Sequence, residues 1–105
     1  MNNFITFLRN AYFINWQILK YAFLASPSAS IDIQRSYEYI RCIRTGFWKS
    51  FWHTGSTQSF TVVLDKFTCI VDEKLFSCIA ENCNFSVVEC KSNIFTVEFS
   101  LESIN

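Results

Sequence analysis

The segment from residue 4 to residue 25 is the most apolar part of the chain, yet Arg9 and Lys20 lie within it. A membrane-spanning helix needs about 20 predominantly apolar residues without a central charge. A secretory signal carries its positive charge before the apolar region rather than inside it. We therefore expect neither a membrane span nor a signal peptide, and we expect this segment to fold with the rest of the chain.

The polar residues of this segment recur at helical spacing and leave a broad apolar face. The polar positions are Asn3, Thr6, Asn10, Gln17 and Lys20. Their spacing predicts a helix over residues 3–24. Its expected buried face consists of Phe4, Leu8, Ala11, Ile14, Ile18 and Ala22. Phe13, Trp16 and Tyr21 widen this face, so we expect the helix to be central to the fold or partly covered by a partner.

A proline and several serines separate this helix from a second one. Pro27 disfavours a helical conformation at the residue before it, and the serines supply capping hydroxyls. From Ile31 the apolar residues follow helical spacing again, which predicts a second helix. Its exposed side carries the alternating charges Arg35, Glu38 and Arg41. Either Gly46 or Gly55 ends this helix, because glycine suits a helix C-terminus.

The chain after Gly55 is rich in Thr, Val, Phe and Ile, which is typical of strands. The clearest strand is 94–101, and 85–90 pairs with it through the short polar connection 91–93 of a hairpin. Residues 59–64 form a third candidate strand. The face of 94–101 that we expect to be buried consists of Phe95, Val97, Phe99 and Leu101.

Residues 65–82 are compatible with both a strand and a helix. We expect a strand followed by a short third helix near residues 73–81, with Asp72 as its cap. The sequence as a whole therefore predicts an α+β fold, in which two N-terminal helices pack on a small C-terminal antiparallel sheet. We expect residues 1–105 to form a single domain, because no linker or repeat interrupts them.

Five cysteines form neither a zinc-binding pattern nor a disulfide framework. Their number is odd, no Cys-x-x-Cys spacing occurs, and His53 is the only histidine. We expect packed, reduced thiols in a cytoplasmic protein that holds no metal or cofactor. Any Ser/His/Asp or Cys/His mechanism would need His53, whose surroundings lack a nucleophile motif, so we expect no enzymatic activity. The cysteines are Cys42, Cys69, Cys78, Cys83 and Cys90.

The net charge is zero, but the two halves of the chain differ in charge. Residues 1–55 carry six basic and two acidic residues, whereas residues 56–105 carry three basic and seven acidic residues. A neutral chain has no general attraction for nucleic acid or for anionic membranes. The asymmetry indicates either two halves that complement each other within the fold or a surface with two sides for charged partners.

Two sets of residues are candidates for partner binding. The acidic set lies in the least regular segment and consists of Asp65, Asp72, Glu73 and Glu81. The basic-aromatic set lies within 41–53 and consists of Arg41, Arg44, Trp48, Lys49 and Trp52. Its cations can contact phosphates while a tryptophan stacks on a base. Alternatively, this region is a helix terminus whose aromatic side chains enter the core.

The small size, the neutral charge and the abundance of aromatic residues favour a non-enzymatic binding protein. We expect a bacterial immunity protein, of the antitoxin type, that neutralises a toxin such as a nuclease by covering its active site with the acidic set. A phage inhibitor of a host nuclease complex is one alternative. A small nucleic-acid-binding module that uses the region 41–53 is another, although the neutral charge argues against nucleic acid. The expected partner is a protein and not a membrane, and self-association is the alternative to a complex with a different protein.

Overall fold

A computed structural model describes residues 2–65 and 70–100 and shows two long helices followed by strands and a short helix. In chain order the elements are α1 (Asn2–Leu24), α2 (Ile31–Thr54), β1 (Ser59–Val63), α3 (Glu73–Asn82), β2 (Phe85–Lys91) and β3 (Ile94–Phe99). The strands form an antiparallel sheet in the order β1-β3-β2. The predicted α+β class and the short third helix are confirmed.

Capping residues set the limits of α2. The Ser30 hydroxyl accepts a hydrogen bond from the Ile33 N–H at 3.3 Å, which makes Ser30 the N-cap. Gly55 has a left-handed conformation with φ of 73°, and its N–H donates to the Phe51 carbonyl at 2.9 Å. Because glycine reaches positive φ without a steric penalty, Gly55 rather than Gly46 ends the helix.

Gly46 lies in the middle of α2, where it permits a close approach to β1. A Cβ atom at this position would lie 2.6 Å from the carbonyl oxygen of Thr61 and 3.2 Å from the ring of Phe60. A backbone oxygen in a sheet cannot move aside as a flexible side chain can. The short distance between α2 and β1 therefore depends on the absence of a side chain at Gly46.

We expect Gly46→Ala to lower the free energy of unfolding by about 1–3 kcal/mol, because the new methyl group overpacks the contact with Thr61. The sign is opposite to the gain of roughly 1 kcal/mol that Gly→Ala usually gives inside a helix. Urea unfolding followed by circular dichroism measures the change. Thr45→Ala, at the exposed neighbouring position, is the control and should shift stability by no more than about 0.5 kcal/mol. A stabilised Gly46→Ala variant would contradict the close approach.

The predicted hairpin between β2 and β3 is confirmed. Lys91 pairs with Ile94, so Ser92 and Asn93 form the two-residue turn. Ser92 has a φ of 60°, which the tight connection requires. A register shift near Val88 places one extra residue in β2, as in a β-bulge.

The apolar face of β3 is buried along most of its length. Phe95 and Val97 are fully buried, whereas Phe99 is only half-buried. The expectation of a buried Phe99 is wrong in this respect, because Phe99 belongs to the last residue pair of the β2–β3 register, at the end of the sheet. Leu101, the fourth residue of the predicted face, lies outside the described residues.

Truncation of Phe95 should cost more stability than truncation of Phe99. Phe95 is fully buried, and its ring stacks on Phe76 at 4.1 Å between centroids. We therefore expect Phe95→Ala to lower the free energy of unfolding by about 3–5 kcal/mol. Phe99→Ala should cost clearly less, and Thr96→Ala is the tolerant control. Equal losses for the two Phe variants in chemical denaturation would contradict the burial that the structure assigns to β3.

The buried side of α1 differs in part from the predicted one. Ile14 and Ile18 are buried as predicted, but Leu8 and Ala22 are exposed. Asn10, predicted as a polar surface position, is fully buried. Ala11 is half-buried, and the side chain of Phe4 lies outside the described part of the structure.

None of the described helices is both long enough and apolar enough to span a membrane.

Aromatic stacking explains this orientation of α1. The ring of Phe7 lies parallel to the rings of Phe47 and Phe51 in α2, with centroid distances of 5.6 Å and 4.3 Å. It also meets the ring of Trp48 edge to face at 5.5 Å. Offset-stacked and edge-to-face arrangements are the favourable ones for aromatic pairs. The side of α1 that carries Phe7 therefore packs on α2.

Candidate interaction surfaces

A cleft lies between α2 and the outer edge of β1. Phe99 N–H donates to the Gln58 carbonyl, and Leu64 N–H donates to the Asn93 carbonyl. Hydrogen-bonded and non-hydrogen-bonded positions alternate along an antiparallel strand, so the even-numbered residues of this segment bond to β3. The backbone groups of Ser59, Thr61 and Val63 consequently point away from β3, and the carbonyl oxygen of Thr61 lies beside Gly46 of α2.

Three cations of the basic-aromatic set line this cleft, which has a volume of about 310 Å³. Arg41, Arg44 and Lys49 project from α2, and Thr61 belongs to the opposite wall. We call the space between these three cations and β1 the basic cleft. Glu38 also lines it and offsets part of the positive charge. This arrangement suits a small anion or a phosphate group.

The two tryptophans of the basic-aromatic set do not line the basic cleft. Trp48 is half-buried and packs edge to face against Phe47 and Phe51, at 5.6 Å and 5.9 Å between ring centroids. Trp52 is exposed, and its ring lies 5.5 Å from that of Phe51. The basic-aromatic set is thus divided, with its cations in the cleft and Trp48 in the aromatic packing between α1 and α2.

Within the acidic set, Asp72 has a structural role. Its carboxylate accepts a hydrogen bond from Leu75 N–H at 3.1 Å, as the N-cap of α3. Its own N–H donates to the Tyr39 hydroxyl at 3.0 Å, and this hydroxyl donates to the carbonyl of Ile70. Asp72 is half-buried and caps a helix, as predicted, which leaves its carboxylate less free to bind a partner.

The other members of the acidic set are exposed. Glu73 and Glu81 lie near opposite ends of α3, about two helical turns apart. Asp65 follows β1 immediately before the segment 66–69, which lies outside the described residues. The structure therefore assigns two exposed carboxylates to one short helix that is anchored by the buried side chains of Phe76 and Ile79.

Three cysteines within the described residues, Cys78, Cys83 and Cys90, are free thiols, and Cys42 is half-buried. Burial raises the pKa of Cys83 to about 12. Partial burial also raises the pKa of Cys90, and Glu73 raises it further, because its carboxylate accepts the thiol hydrogen at 3.4 Å and repels the thiolate. Across residues 2–65 and 70–100, no group of three or more His, Cys, Asp or Glu side chains is arranged to hold a metal ion.

One conspicuous surface, on α1, was anticipated only in part from the sequence, through the wide apolar face at Trp16 and the partner expected to cover it. Ile5, Leu8, Tyr12, Trp16, Leu19 and Phe23 are all exposed. Their spacing of three and four residues is the signal that was available in the sequence, since it places them on one side of a helix. We call these six residues the α1 stripe.

No family model matches the chain, and no curated protein or solved structure matches it either. A functional inference therefore rests on the surfaces themselves.

The cysteines should differ in reactivity according to their environments. At about pH 8.5, near the ordinary pKa of a thiol, iodoacetamide should modify the exposed Cys78 and leave Cys83 unmodified until the chain unfolds. Glu73→Gln should accelerate modification of Cys90, since loss of the carboxylate lowers the raised pKa of that thiol and increases its thiolate fraction. Peptide mass spectrometry measures each rate.

Glu81→Gln is the matched control, because Glu81 lies on the same helix but is not among the groups that raise the pKa of Cys90. An unchanged Cys90 rate in Glu73→Gln would show that the carboxylate does not act on the thiol. Equal rates for Cys78 and Cys83 in the folded protein would contradict the burial of Cys83.

Proposed function

We propose that the protein is a non-enzymatic binding protein that neutralises a toxin, as a bacterial immunity protein does, by covering the active-site cleft of a nuclease. The observation that carries the proposal is the pair of exposed carboxylates, Glu73 and Glu81, on the short helix α3. An active site that binds a phosphate backbone is positively charged. Carboxylates held on a rigid helix complement such a site.

Charge also favours this mode of binding through the rate of association. The half of the chain that contains α3 has seven acidic and three basic residues. Complementary charges steer two proteins together and raise the association rate above that of neutral pairs. Such an inhibitor acts in the compartment of its toxin, which we propose is the bacterial cytoplasm.

Within the acidic set, local interactions favour some residues over others as the proposed contacts. Asp72 caps α3, so its replacement would cost about 1 kcal/mol of stability. A loss of binding in such a variant could then come from the destabilised helix rather than from a lost contact. Glu73 and Glu81 are exposed, and Asp65 is exposed beside the described end of β1. We therefore assign the contact to Glu73 and Glu81, with Asp65 as a further candidate.

The test compares the chain with its Glu73→Lys/Glu81→Lys double variant. Each tagged chain is used to purify bound proteins from the source cell, and any protein retained by the original chain is assayed for cleavage of plasmid DNA and of tRNA. We expect the original chain to block cleavage at a one-to-one ratio, and the double variant to lose at least tenfold in inhibition. The expected loss follows from two reversed contacts, each worth about 1 kcal/mol or more at a desolvated interface.

Glu98→Lys is the matched control, since Glu98 is an exposed acidic residue on β3 rather than on α3. It should inhibit as well as the original chain does. Capture of proteins without nuclease activity would overturn the proposal for a nuclease. Full inhibition by the double variant would overturn the role of α3.

Nucleic-acid binding is the second candidate function, and the basic cleft is the observation that favours it. Arg41, Arg44 and Lys49 line one space next to outward-facing backbone groups of β1, an arrangement that can hold a phosphate. Against it stand the zero net charge and the presence of Glu38 in the same cleft.

Fluorescence polarisation with a labelled single-stranded oligonucleotide tests this candidate. Three phosphate contacts predict a slope of about −2 for the logarithm of affinity against the logarithm of salt concentration. Arg44→Glu should abolish the binding, whereas Lys74→Glu, on the exposed side of α3, should leave most of it. Affinity that does not change with salt would exclude binding through the basic cleft.

A further inference from the structure

Two cavities lie side by side along the groove between α2 and β1. One is the basic cleft, and the other has a similar volume of about 320 Å³. Both are lined by Gly46, Lys49 and Thr61, so they adjoin at these three residues. We call the second one the adjoining cavity. Together the two cavities extend along α2 from Glu38 to His53, which is about 22 Å along the helix axis.

The charges of the basic cleft match those of one phosphate group. Arg41, Arg44 and Lys49 carry three positive charges, and Glu38 carries one negative charge. The two positive charges that remain balance a phosphate monoester, whose charge is about −1.5 to −2 at pH 7. Within residues 2–65 and 70–100 none of the three cations forms a salt bridge, so their charge is free to hold an anion.

The wall that β1 contributes to the basic cleft adds uncharged donors. Thr61 and Val63 line the cleft, and their backbone N–H groups point away from β3. Protein contacts to phosphate oxygens combine such N–H groups with Arg and Lys side chains. The guanidinium carbon of Arg41 lies 5.7 Å from the centroid of the Tyr37 ring, a contact that restricts this side chain before a ligand binds.

The adjoining cavity has a different chemistry from that of the basic cleft. The Ser50 hydroxyl donates its hydrogen to the Ser56 carbonyl at 2.7 Å, so its oxygen can accept a hydrogen bond from a hydroxyl or amino group of a ligand. His53 is exposed, and an imidazole ring can stack on a nucleobase. Apart from Lys49 and His53 the lining residues of this cavity are uncharged: Gly46, Ser50, Thr54, Ser59, Phe60 and Thr61.

We propose that the basic cleft and the adjoining cavity together bind the monophosphate of a nucleoside, with the phosphate at the three cations and the nucleoside beside His53. A nucleic-acid backbone carries a charge at every nucleotide. The groove instead has Glu38 at one end and uncharged side chains beyond Lys49. This order of charges suits one terminal phosphate with an uncharged remainder. A free mononucleotide and the phosphorylated end of a nucleic-acid strand both have this chemistry.

This inference does not rest on the proposed toxin contact, because neither Glu73 nor Glu81 lines either cavity, and it involves none of the α1 stripe. It shares the three cations with the second candidate function but differs from it in the ligand, which is one terminal phosphate rather than a continuous backbone. The Glu73→Lys/Glu81→Lys variant, which tests the toxin contact, should therefore bind the nucleotide as the original chain does.

Nuclear magnetic resonance titration of the isotope-labelled full chain tests the site with three probes, which are AMP, adenosine and inorganic phosphate at one salt concentration. We expect AMP to bind at least tenfold more tightly than either adenosine or phosphate, because only AMP occupies both cavities. The largest chemical-shift changes should lie on α2 and β1.

Single substitutions separate the two halves of the site. Lys49→Gln should lower the affinity for AMP at least tenfold, since Lys49 borders both cavities. His53→Ala should lower the affinity for AMP at least threefold and leave that for inorganic phosphate unchanged, a difference that a loss of folding does not produce. Glu38→Gln should raise the affinity for both probes, because it removes the opposing charge. Arg35→Gln is the matched control, because Arg35 is a basic residue of α2 that lines neither cavity, and it should change the affinity for AMP less than twofold.

Two oligonucleotides of the same sequence, one with a 5′-phosphate and one with a 5′-hydroxyl, distinguish the sources of the ligand. Tighter binding of the phosphorylated form, by at least tenfold, would support the site and identify a strand end as its ligand. Binding of AMP without binding of either oligonucleotide would support the site and identify a free nucleotide. Equal binding of the two oligonucleotides would overturn this inference in favour of the backbone contacts of the second candidate function. Equal affinities for AMP and inorganic phosphate, or no response to AMP, would also overturn it.

Discussion

The crossing of α2 over the outer edge of β1 sets the position of most other elements. Gly46 makes the crossing close, and the next residue, Phe47, places its ring near those of Phe7, Phe60 and Phe85. These partners belong to α1, β1 and β2, so one side chain joins three elements to α2. Aromatic pairs of this kind add about 0.5–1.5 kcal/mol each to the burial of apolar area. The basic cleft follows from the same crossing, because it occupies the space beside the contact.

The stacking of Phe7 on α2 also determines which side of α1 meets water. It turns Asn10 into the core, where neither its side-chain nitrogen nor its oxygen has a hydrogen-bond partner among the described residues. An unpaired buried polar group costs about 1–3 kcal/mol. The same rotation exposes Tyr12 and Trp16. A helix that buries an amide and exposes aromatic rings departs from ordinary patterning, and such departures are expected where a surface serves a partner.

The parts of the fold that depend on local sequence signals were predictable. The alternation in 94–99, the short turn before it and the Asp72 cap of α3 are encoded within a few residues. The end of α2 was not, because Gly46 and Gly55 both suit a helix terminus in the sequence. The fold distinguishes them, since Gly55 adopts the left-handed conformation of a helix end whereas Gly46 contacts Thr61. The buried side of α1 was predicted only in part, for a similar reason: Ile14 and Ile18 are buried as expected, but Leu8 and Ala22 are exposed. Both sides of α1 are apolar, so hydrophobic periodicity alone does not predict which of them is buried. The contacts of Phe7 with the rings of α2 determine it.

The distribution of aromatic residues links the core to the surfaces. The chain has twelve Phe, three Trp and four Tyr, and five of those in the described part of the chain are completely buried: Tyr39, Phe47, Phe76, Phe85 and Phe95. An interior packed at crystal density has no room for many more. Scattered exposed aromatics would be ordinary for any small protein. Tyr12, Trp16 and Phe23 instead share one side of α1, while the three cations of the basic cleft lie on α2, and Glu73 and Glu81 lie on α3. Because each surface belongs to a different helix, a substitution in one tests that surface without altering the residues of the other two.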